Sequence, residues 1–312
     1  SRNIGLDVYF MLPSCVPATT FEDSGYKLKA KDLKKLINDE HVCGLAEMMN
    51  YVGILLGDPE TCNKVRYTLE SGKVVDGHAP GVTGDDAQRY IAAGISTDHE
   101  MYDLEQAQER LKMGMKILIR EGSAARNFET LSPLLADDQN KGNVMFCTDD
   151  IYPDELQEGH IDLIVRRAIE KGYPLWNVLY AACVAPVEHY KMPIGLLQEG
   201  DDADFIVVDD LQHFNVQETY IGGAPVSQTK TDYSVASFPN HFNAQPLEVE
   251  ALRVKPQRGK LKVIVSHEQE LLTDIAYSEP LVVEDNVVSN VKEDVLKLVV
   301  YNRYEPARPA IG

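Results

Sequence analysis

The sequence predicts an α/β fold built on a parallel sheet, followed by β-rich segments. Short apolar runs of strand length alternate with helical runs through the first 192 residues, and short β runs with turns follow. A βαβα order of this kind is typical of parallel sheets, and both a closed α/β barrel and a doubly wound sheet satisfy it. No G-x-G-x-x-G sequence follows any of these strands, which argues against a dinucleotide-binding fold.

The predicted strands are short apolar runs that stop at polar or turn-forming residues. They are Leu6–Leu12, which ends at Pro13-Ser14, His41–Leu45, Lys73–Asp76, Ile95–Thr97, Met115–Ile119 and Val144–Cys147.

The predicted helices show apolar residues at helical spacing and conventional ends. Gly72 closes one of them, and Leu104–Gly114 has acidic residues early and basic residues late, as the helix dipole favours. The full set is Lys29–Asn38, Pro59–Ser71, Asp85–Ala93, Leu104–Gly114, Phe128–Ala136, Ile161–Lys171 and Pro174–Tyr190.

These patterns divide the chain into three regions, with boundaries at 1–192, 193–234 and 235–312. Gly195–Gly223 reads as short strands and turns, and the polar stretch Ser227–Phe242 indicates a linker or a disordered segment. The third region is β-rich, with runs at Lys262–Ser266, Leu281–Val283 and Leu296–Tyr301.

Composition limits the partners of the chain. It has 312 residues and a net charge of -19, so its surface repels phosphate backbones and anionic lipid heads. Nucleic acid and membrane are therefore not expected as partners, and a neutral or cationic small molecule fits better. The five cysteines are odd in number and widely spread, which indicates reduced thiols and a cytoplasmic location.

Four potential metal ligands follow four of the predicted strands. Glu47 follows the run at 41–45, His78 the run at 73–76, His99 the run at 95–97, and Asp149 the run at 144–147. Functional groups of parallel α/β folds lie where strands end, so these side chains converge if the strands are neighbours. Imidazoles and carboxylates suit zinc, manganese or iron, and an aspartate beside a metal-activated water can move its proton.

Each of these residues also has a plain structural interpretation. A single histidine in a loop is usually hydrogen-bonded there, and an aspartate before a helix usually caps it. The metal interpretation depends on the set of four, each after its own short strand.

Long contiguous motifs resemble the bacterial adenine deaminases of the amidohydrolase superfamily. The resemblance runs from about residue 3 to the C-terminus and includes LAEMMNYVGILLGDPE (45–60), VDGHAPGVTG (75–84), YIAAGISTDHE (90–100), ILIREGSAARN (117–127), MFCTDD (145–150) and GLLQEGDDADFIVVDD (195–210).

The resemblance implies a (β/α)₈ TIM-like barrel, present here in part, and hydrolysis of adenine to hypoxanthine and ammonia in purine salvage. It implies a binuclear centre of Mn²⁺ or Fe²⁺, with Zn²⁺ as an alternative. By the same resemblance Glu47 bridges the metals, His78 and His99 are ligands, and Asp149 is a ligand and the catalytic proton shuttle. Asp150, Arg120 and Ser123 are the residues expected to bind substrate.

One departure from the family pattern limits these expectations. Enzymes of this type carry a His-x-His pair after the first barrel strand, and this sequence contains none. The chain is therefore expected to be an internal piece that begins near the third strand, binds metal weakly, has little or no activity alone and needs a homo-oligomer or a complementary chain segment. The rival interpretations are an amidohydrolase acting on another cyclic amidine or amide, and a catalytically incomplete binding or assembly module.

Overall fold

The chain folds into two compact units. A computed structural model describes residues 5–229, 241–267 and 273–312. The first unit comprises Ser1–Thr20 with Lys27–Ser234, and the second comprises Phe21–Tyr26 with Val235–Gly312. The division into three regions at residues 192 and 234 stays a prediction.

Six parallel strands follow one another in the first unit. They are β1 (Phe10–Leu12), β2 (Val42–Met48), β3 (Val74–Gly77), β4 (Thr97–Asp98), β5 (Lys116–Arg120) and β6 (Val144–Cys147). They form two three-stranded sheets in the orders β1-β2-β3 and β4-β5-β6. Ser96 joins the two, because its N–H and its hydroxyl donate to the carbonyl of Val75 at 2.9 and 2.8 Å. The predicted α/β class with parallel strands is confirmed.

Ten α-helices accompany these strands in the described part of the first unit. They are α1 (Ala30–Leu36), α2 (Tyr51–Leu56), α3 (Pro59–Glu70), α4 (Gly84–Ala92), α5 (Leu104–Lys112), α6 (Phe128–Leu131), α7 (Pro153–Glu158), α8 (Ile161–Glu170), α9 (Leu175–Leu179) and α10 (Ala185–Tyr190). Side-chain caps start several of them; the carboxylate of Asp103, for example, accepts from the N–H of Gln106 before α5.

Proline explains two differences from the predicted helices. The segment predicted at 128–136 leaves α geometry after Leu131 and continues as a 3₁₀ turn, where Pro133 has no N–H to donate. The segment predicted at 174–190 is interrupted by a π turn before Pro186. The short helices α2 and α7 have six residues each and were not predicted.

Alternating side chains of β5 and β6 pack on the two faces of their sheet, as the strand period requires. Ile117, Ile119, Val144 and Phe146 lie in one apolar core with residues of α6 and α8. The alternate residues Leu118 and Met145 lie in a second cluster with Ala185 of α10. A third core joins Leu45, Val75, Tyr90 and Ile95 around β2 and β3. These packed faces fix the strand ends that carry the candidate site.

The remaining described strands lie in the segments that the sequence predicts to be β-rich, and they are antiparallel. In the first unit they are β7 (Phe205–Val208), β8 (Val216–Ile221) and β9 (Ala224–Pro225). In the second unit they are β10 (Leu261–Ser266), β11 (Thr273–Ser278), β12 (Val282–Val283), β13 (Asn286–Val287), β14 (Val299–Val300) and β15 (Ala310–Ile311), paired in sequence order. Most of the predicted linker, residues 230–240, lies outside the described residues. Among the described helices, none has the length and apolarity needed to cross a bilayer.

We expect Phe128→Ala to destabilise the first unit by about 3–5 kcal/mol, because this fully buried ring fills the core between α6 and β5. Urea unfolding followed by far-UV circular dichroism measures the change. The control is Leu56→Ala, since Leu56 is 82% exposed at the end of α2 and should change stability by less than about 0.5 kcal/mol. Equal losses in the two variants would contradict the assignment of this core.

Candidate metal centre

The carboxylate of Glu47 lies between two imidazoles. Its Oε2 is 2.9 Å from Nδ1 of His78 and 3.0 Å from Nε2 of His99, and the two rings meet edge to face with centroids 5.4 Å apart. Glu47 lies inside β2, whereas the sequence predicted it just beyond a strand ending at Leu45. His78 and His99 directly follow β3 and β4. Three of the four predicted ligands therefore meet at one edge of the parallel strands.

A second group of possible ligands shares His99 with the first. Nε2 of His99 lies 3.6 Å from Oε1 of Glu100 and 3.9 Å from Oδ2 of Asp149. Each group offers ligand atoms within 4.8 Å of one another. The structure thus brings Asp149 beside His99, which the two groups share, and adds Glu100, which sequence reasoning missed. The signal available was its position, since an acid directly follows His99.

The donor atoms fit a divalent cation. Nε2 of His99 is buried and has no hydrogen-bond partner of acceptable geometry in the described residues, although Oε2 of Glu47 is near. Metal bonds of about 2.0–2.2 Å place tetrahedral ligand atoms roughly 3.3–3.6 Å apart. The separations here, 2.9–3.9 Å, bracket that spacing. A mixed imidazole and carboxylate set suits zinc, manganese or iron.

Charge couples the members of this cluster. Burial alone raises the pKa of Glu47, but the hydrogen bond from His78 and the neighbouring His99 outweigh it and hold that pKa well below its usual range. Burial alone lowers the pKa of His99, but the Glu47 carboxylate outweighs it and raises that pKa. Without a metal the site therefore favours an ionised Glu47 beside an imidazole with increased affinity for a proton.

Arg120 balances the carboxylates next to this cluster. Its guanidinium is fully buried, and Nη1 donates to Glu100 and, at 2.7 Å, to Oδ2 of Asp149. Nη2 donates to the hydroxyl of Tyr102, which in turn donates to Glu100 at 3.2 Å. Buried charges of one sign require such a partner. Arg120 thus contacts two candidate ligands directly, and its predicted role in binding substrate stays a prediction.

The other two predicted substrate-binding residues lie on the loops after β5 and β6. The Ser123 hydroxyl donates to Glu155 at 2.7 Å and accepts from the N–H of Tyr152 at 2.8 Å. Asp150 is exposed, and its carbonyl accepts from the N–H of Ser123 at 2.8 Å. The two loops are therefore tied together, and the roles of both residues toward a substrate stay predictions.

The backbone at Asp149 adopts a left-handed conformation, with φ of 57°. Few residues other than glycine occupy this region, and those that do are enriched in asparagine and aspartate. Such strained residues concentrate at functional sites, where the surrounding structure holds them. At Asp149 the left-handed turn accompanies a carboxylate beside His99 and Arg120.

Family comparison agrees with this geometry. Residues 2–226 match the model of the amidohydrolase family. The chain belongs to the amidohydrolase family. Membership confirms the family resemblance drawn from the sequence motifs and, with the parallel strands described above, the predicted fold class.

Curated amidohydrolases with similar sequences include several adenine deaminases. This chain is 44% identical over 328 residues to that of Methanosarcina mazei and 47% identical over 315 residues to that of Salinibacter ruber, and 100% of the chain is covered in both. The adenine deaminase of Borreliella burgdorferi is 40% identical, with 98% of the chain covered. The chain spans 57–59% of the length of these relatives.

A solved structure also aligns with part of the chain. The β-aspartyl dipeptidase of Fervidobacterium islandicum AW-1 aligns with a TM-score of 0.49 and 20% sequence identity, over 74% of this chain and 68% of the dipeptidase.

We expect the affinity of the chain for Mn²⁺ to fall as the pH falls, beginning above pH 6.5. Metal binding requires a neutral imidazole, and the raised pKa of His99 means that protons compete from a higher pH than at an ordinary histidine. Mn²⁺ titrations at a series of pH values measure this. His267→Asn is the control, because His267 is exposed and pairs with Asp274, so the profile should not change. An affinity independent of pH between about 8 and 6 would contradict the assignment of His99 as a ligand.

Proposed function

We propose that the site performs, in the intact enzyme, the hydrolytic deamination of adenine to hypoxanthine and ammonia at a binuclear metal centre. Glu47, His78, His99 and Asp149 would hold the metals. Mn²⁺ or Fe²⁺ is the proposed metal, with Zn²⁺ as an alternative for the same donors.

The observation that carries the proposal is the meeting of Glu47, His78 and His99 at one strand edge, where the buried Nε2 of His99 lies 3.0 Å from the Glu47 carboxylate but makes no hydrogen bond of acceptable geometry to the described residues. A histidine that served only to pack in the core would be expected to have a hydrogen-bond partner for each ring nitrogen. The similarity to curated adenine deaminases over the whole chain supports adenine as the substrate.

The proposed reaction needs one proton to move from water to the leaving group. A bound divalent ion would supply Lewis acidity that makes water nucleophilic near neutral pH. Asp149 accepts the proton that water loses as its oxygen bonds to C6 of adenine. Asp149 then returns that proton to the amine as the C6–N bond breaks, so ammonia leaves and hypoxanthine remains. Positioned acid–base help of this kind contributes about 10²–10⁴-fold to rate.

Arg120 holds Asp149 in place for this role. Its guanidinium donates to Oδ2 of Asp149 and to Glu100, so one buried side chain orients both carboxylates. Asp150 and Ser123, on the linked loops after β6 and β5, are proposed to contact the purine.

The wider setting of the enzyme is also proposed. Five free thiols fit a reducing compartment, which supports a cytoplasmic enzyme of purine salvage. A homo-oligomer or a complementary chain segment is proposed to complete the metal centre, since the chain contains no His-x-His pair.

We expect Asp149→Asn to reduce adenine turnover by at least about 10²-fold while the protein stays folded, because asparagine tolerates the left-handed backbone but cannot carry the proton. Ammonia release measures turnover, and circular dichroism checks the fold. Asp154→Asn is the control, an exposed acid in the first turn of α7 whose loss should leave turnover within about twofold. Turnover by Asp149→Asn at the wild-type rate would remove Asp149 from the mechanism.

The substrate is tested separately with a panel of adenine, guanine and a dihydropyrimidine. We expect ammonia release from adenine with a kcat/KM at least about 10²-fold above that for the others, because a site built to hydrogen-bond one ring pattern leaves polar groups unpaired with another. If guanine releases ammonia faster than adenine does, guanine is the substrate instead. If the dihydropyrimidine ring opens faster, the substrate class is the dihydropyrimidines. Metal content measured on the same samples tests the non-catalytic alternative, which requires none.

A further inference from the structure

A tyrosine of helix α4 joins the backbones beside two candidate metal ligands. Tyr90 is fully buried, and its hydroxyl donates to the carbonyl of Met48 at 2.8 Å. The same hydroxyl accepts from the N–H of His78 at 3.1 Å. Since Met48 directly follows Glu47, one hydroxyl connects the end of β2 to the first residue after β3.

The residue before His78 leaves room for this contact. A Cβ on Gly77 would lie 2.3 Å from the carbonyl oxygen of Thr97 and 3.2 Å from Cε1 of Tyr90. The first distance is a collision with backbone, so only glycine lets β4 approach this closely. The tyrosine ring and β4 therefore both pack against the strand that presents His78.

A buried ion pair makes the next connection along the edge. Asp98 is fully buried, and its Oδ2 accepts from Nη1 of Arg110 at 2.7 Å and from the N–H of Ala79 at 3.2 Å. Its Oδ1 accepts from the N–H of Glu100 at 2.8 Å. The carboxylate thus binds the residue after His78 and the residue after His99.

Arg110 completes this connection from helix α5. It is 2% exposed, and its Nη2 donates to the carbonyls of Ala79 and Val82 at 3.0 and 2.6 Å. The pair therefore satisfies its own buried charges and fixes the loop that follows His78. If the Asp98–Arg110 pair served stability alone, its partners could be any buried groups. They are instead backbone groups beside two candidate ligands, His78 and His99.

We propose that Tyr90 and the Asp98–Arg110 pair are positioning residues that set the spacing of Glu47, His78 and His99 before a metal binds. The inference rests on the metal centre of the proposed function and adds residues that do not touch the metal. Glu47 lies in β2, whereas His78 and His99 begin the loops after β3 and β4, so their spacing also depends on how those loop backbones are held. Groups that orient metal ligands typically contribute 10–100-fold to affinity.

The test compares Tyr90→Phe with Tyr173→Phe in the 312-residue chain. Each change removes one hydroxyl and keeps the ring; the Tyr173 hydroxyl bonds Ser132 in the outer core instead of a backbone atom beside a ligand. The dissociation constant for Mn²⁺ is measured from the electron paramagnetic resonance signal of the free ion, well below the Tm of each variant. The Co²⁺ absorption spectrum of each variant reports ligand geometry independently of activity.

We expect Tyr90→Phe to bind Mn²⁺ about 10–100-fold more weakly and to change the Co²⁺ spectrum, while Tyr173→Phe stays within about twofold. Asp98→Asn, which keeps the shape but weakens the link to Arg110, should follow Tyr90→Phe; if it does not fold, Tyr90→Phe decides. Unchanged affinity and spectrum in Tyr90→Phe would overturn the inference and leave the metal centre standing. A wild-type protein that binds no Mn²⁺, either as a homo-oligomer or with the complementary segment that completes the centre, would overturn the metal centre and the inference together.

Discussion

The structure depends on the compensation of charge at one edge of the parallel strands. Glu47, Glu100 and Asp149 bring three carboxylates to within a few ångströms of His99, and such a group repels itself when water is excluded. Arg120 meets two of these acids from a fully buried position, and the imidazoles meet the third. These acids can stay close together because Arg120 and the imidazoles lie among them. The fold can therefore keep several candidate ligands for a cation at one place.

The same edge shows how a rigid scaffold serves a site made of loops. The strands β2, β3 and β4 end within one or two residues of the candidate ligands, and the cores on either side fix those ends. Polar side chains from α4 and α5 then bond the loop backbones directly. Hydrophobic packing therefore sets the position of the strand ends, and a few buried polar groups set the conformation of the loops that follow them.

The sequence was sufficient for the fold class and for choosing four candidate ligands that stand near one edge of the strands, because both depend on local order. Alternating elements predict parallel strands, and Glu47, His78, His99 and Asp149 stand near strand ends. Glu100 was not predictable in the same way. In an extended strand Asp98 and Glu100 would share a face, yet β4 ends at Asp98, so the two acids turn to different partners, Arg110 and Arg120. The hydroxyl of Tyr90 bonds a residue 42 positions away in the sequence, and the guanidinium of Arg110 bonds one 31 positions away. Both contacts depend on how helices pack, which no local sequence pattern predicts.

The left-handed turn at Asp149 narrows how this position can evolve. Glycine enters that backbone region freely, and aspartate, asparagine and histidine are enriched there, whereas branched and bulky residues are strongly disfavoured. Among these tolerated residues, only aspartate carries a carboxylate. Random variation at this position would therefore either keep the present acid or remove the carboxylate altogether. A longer acid at this point of the site would first require a different loop.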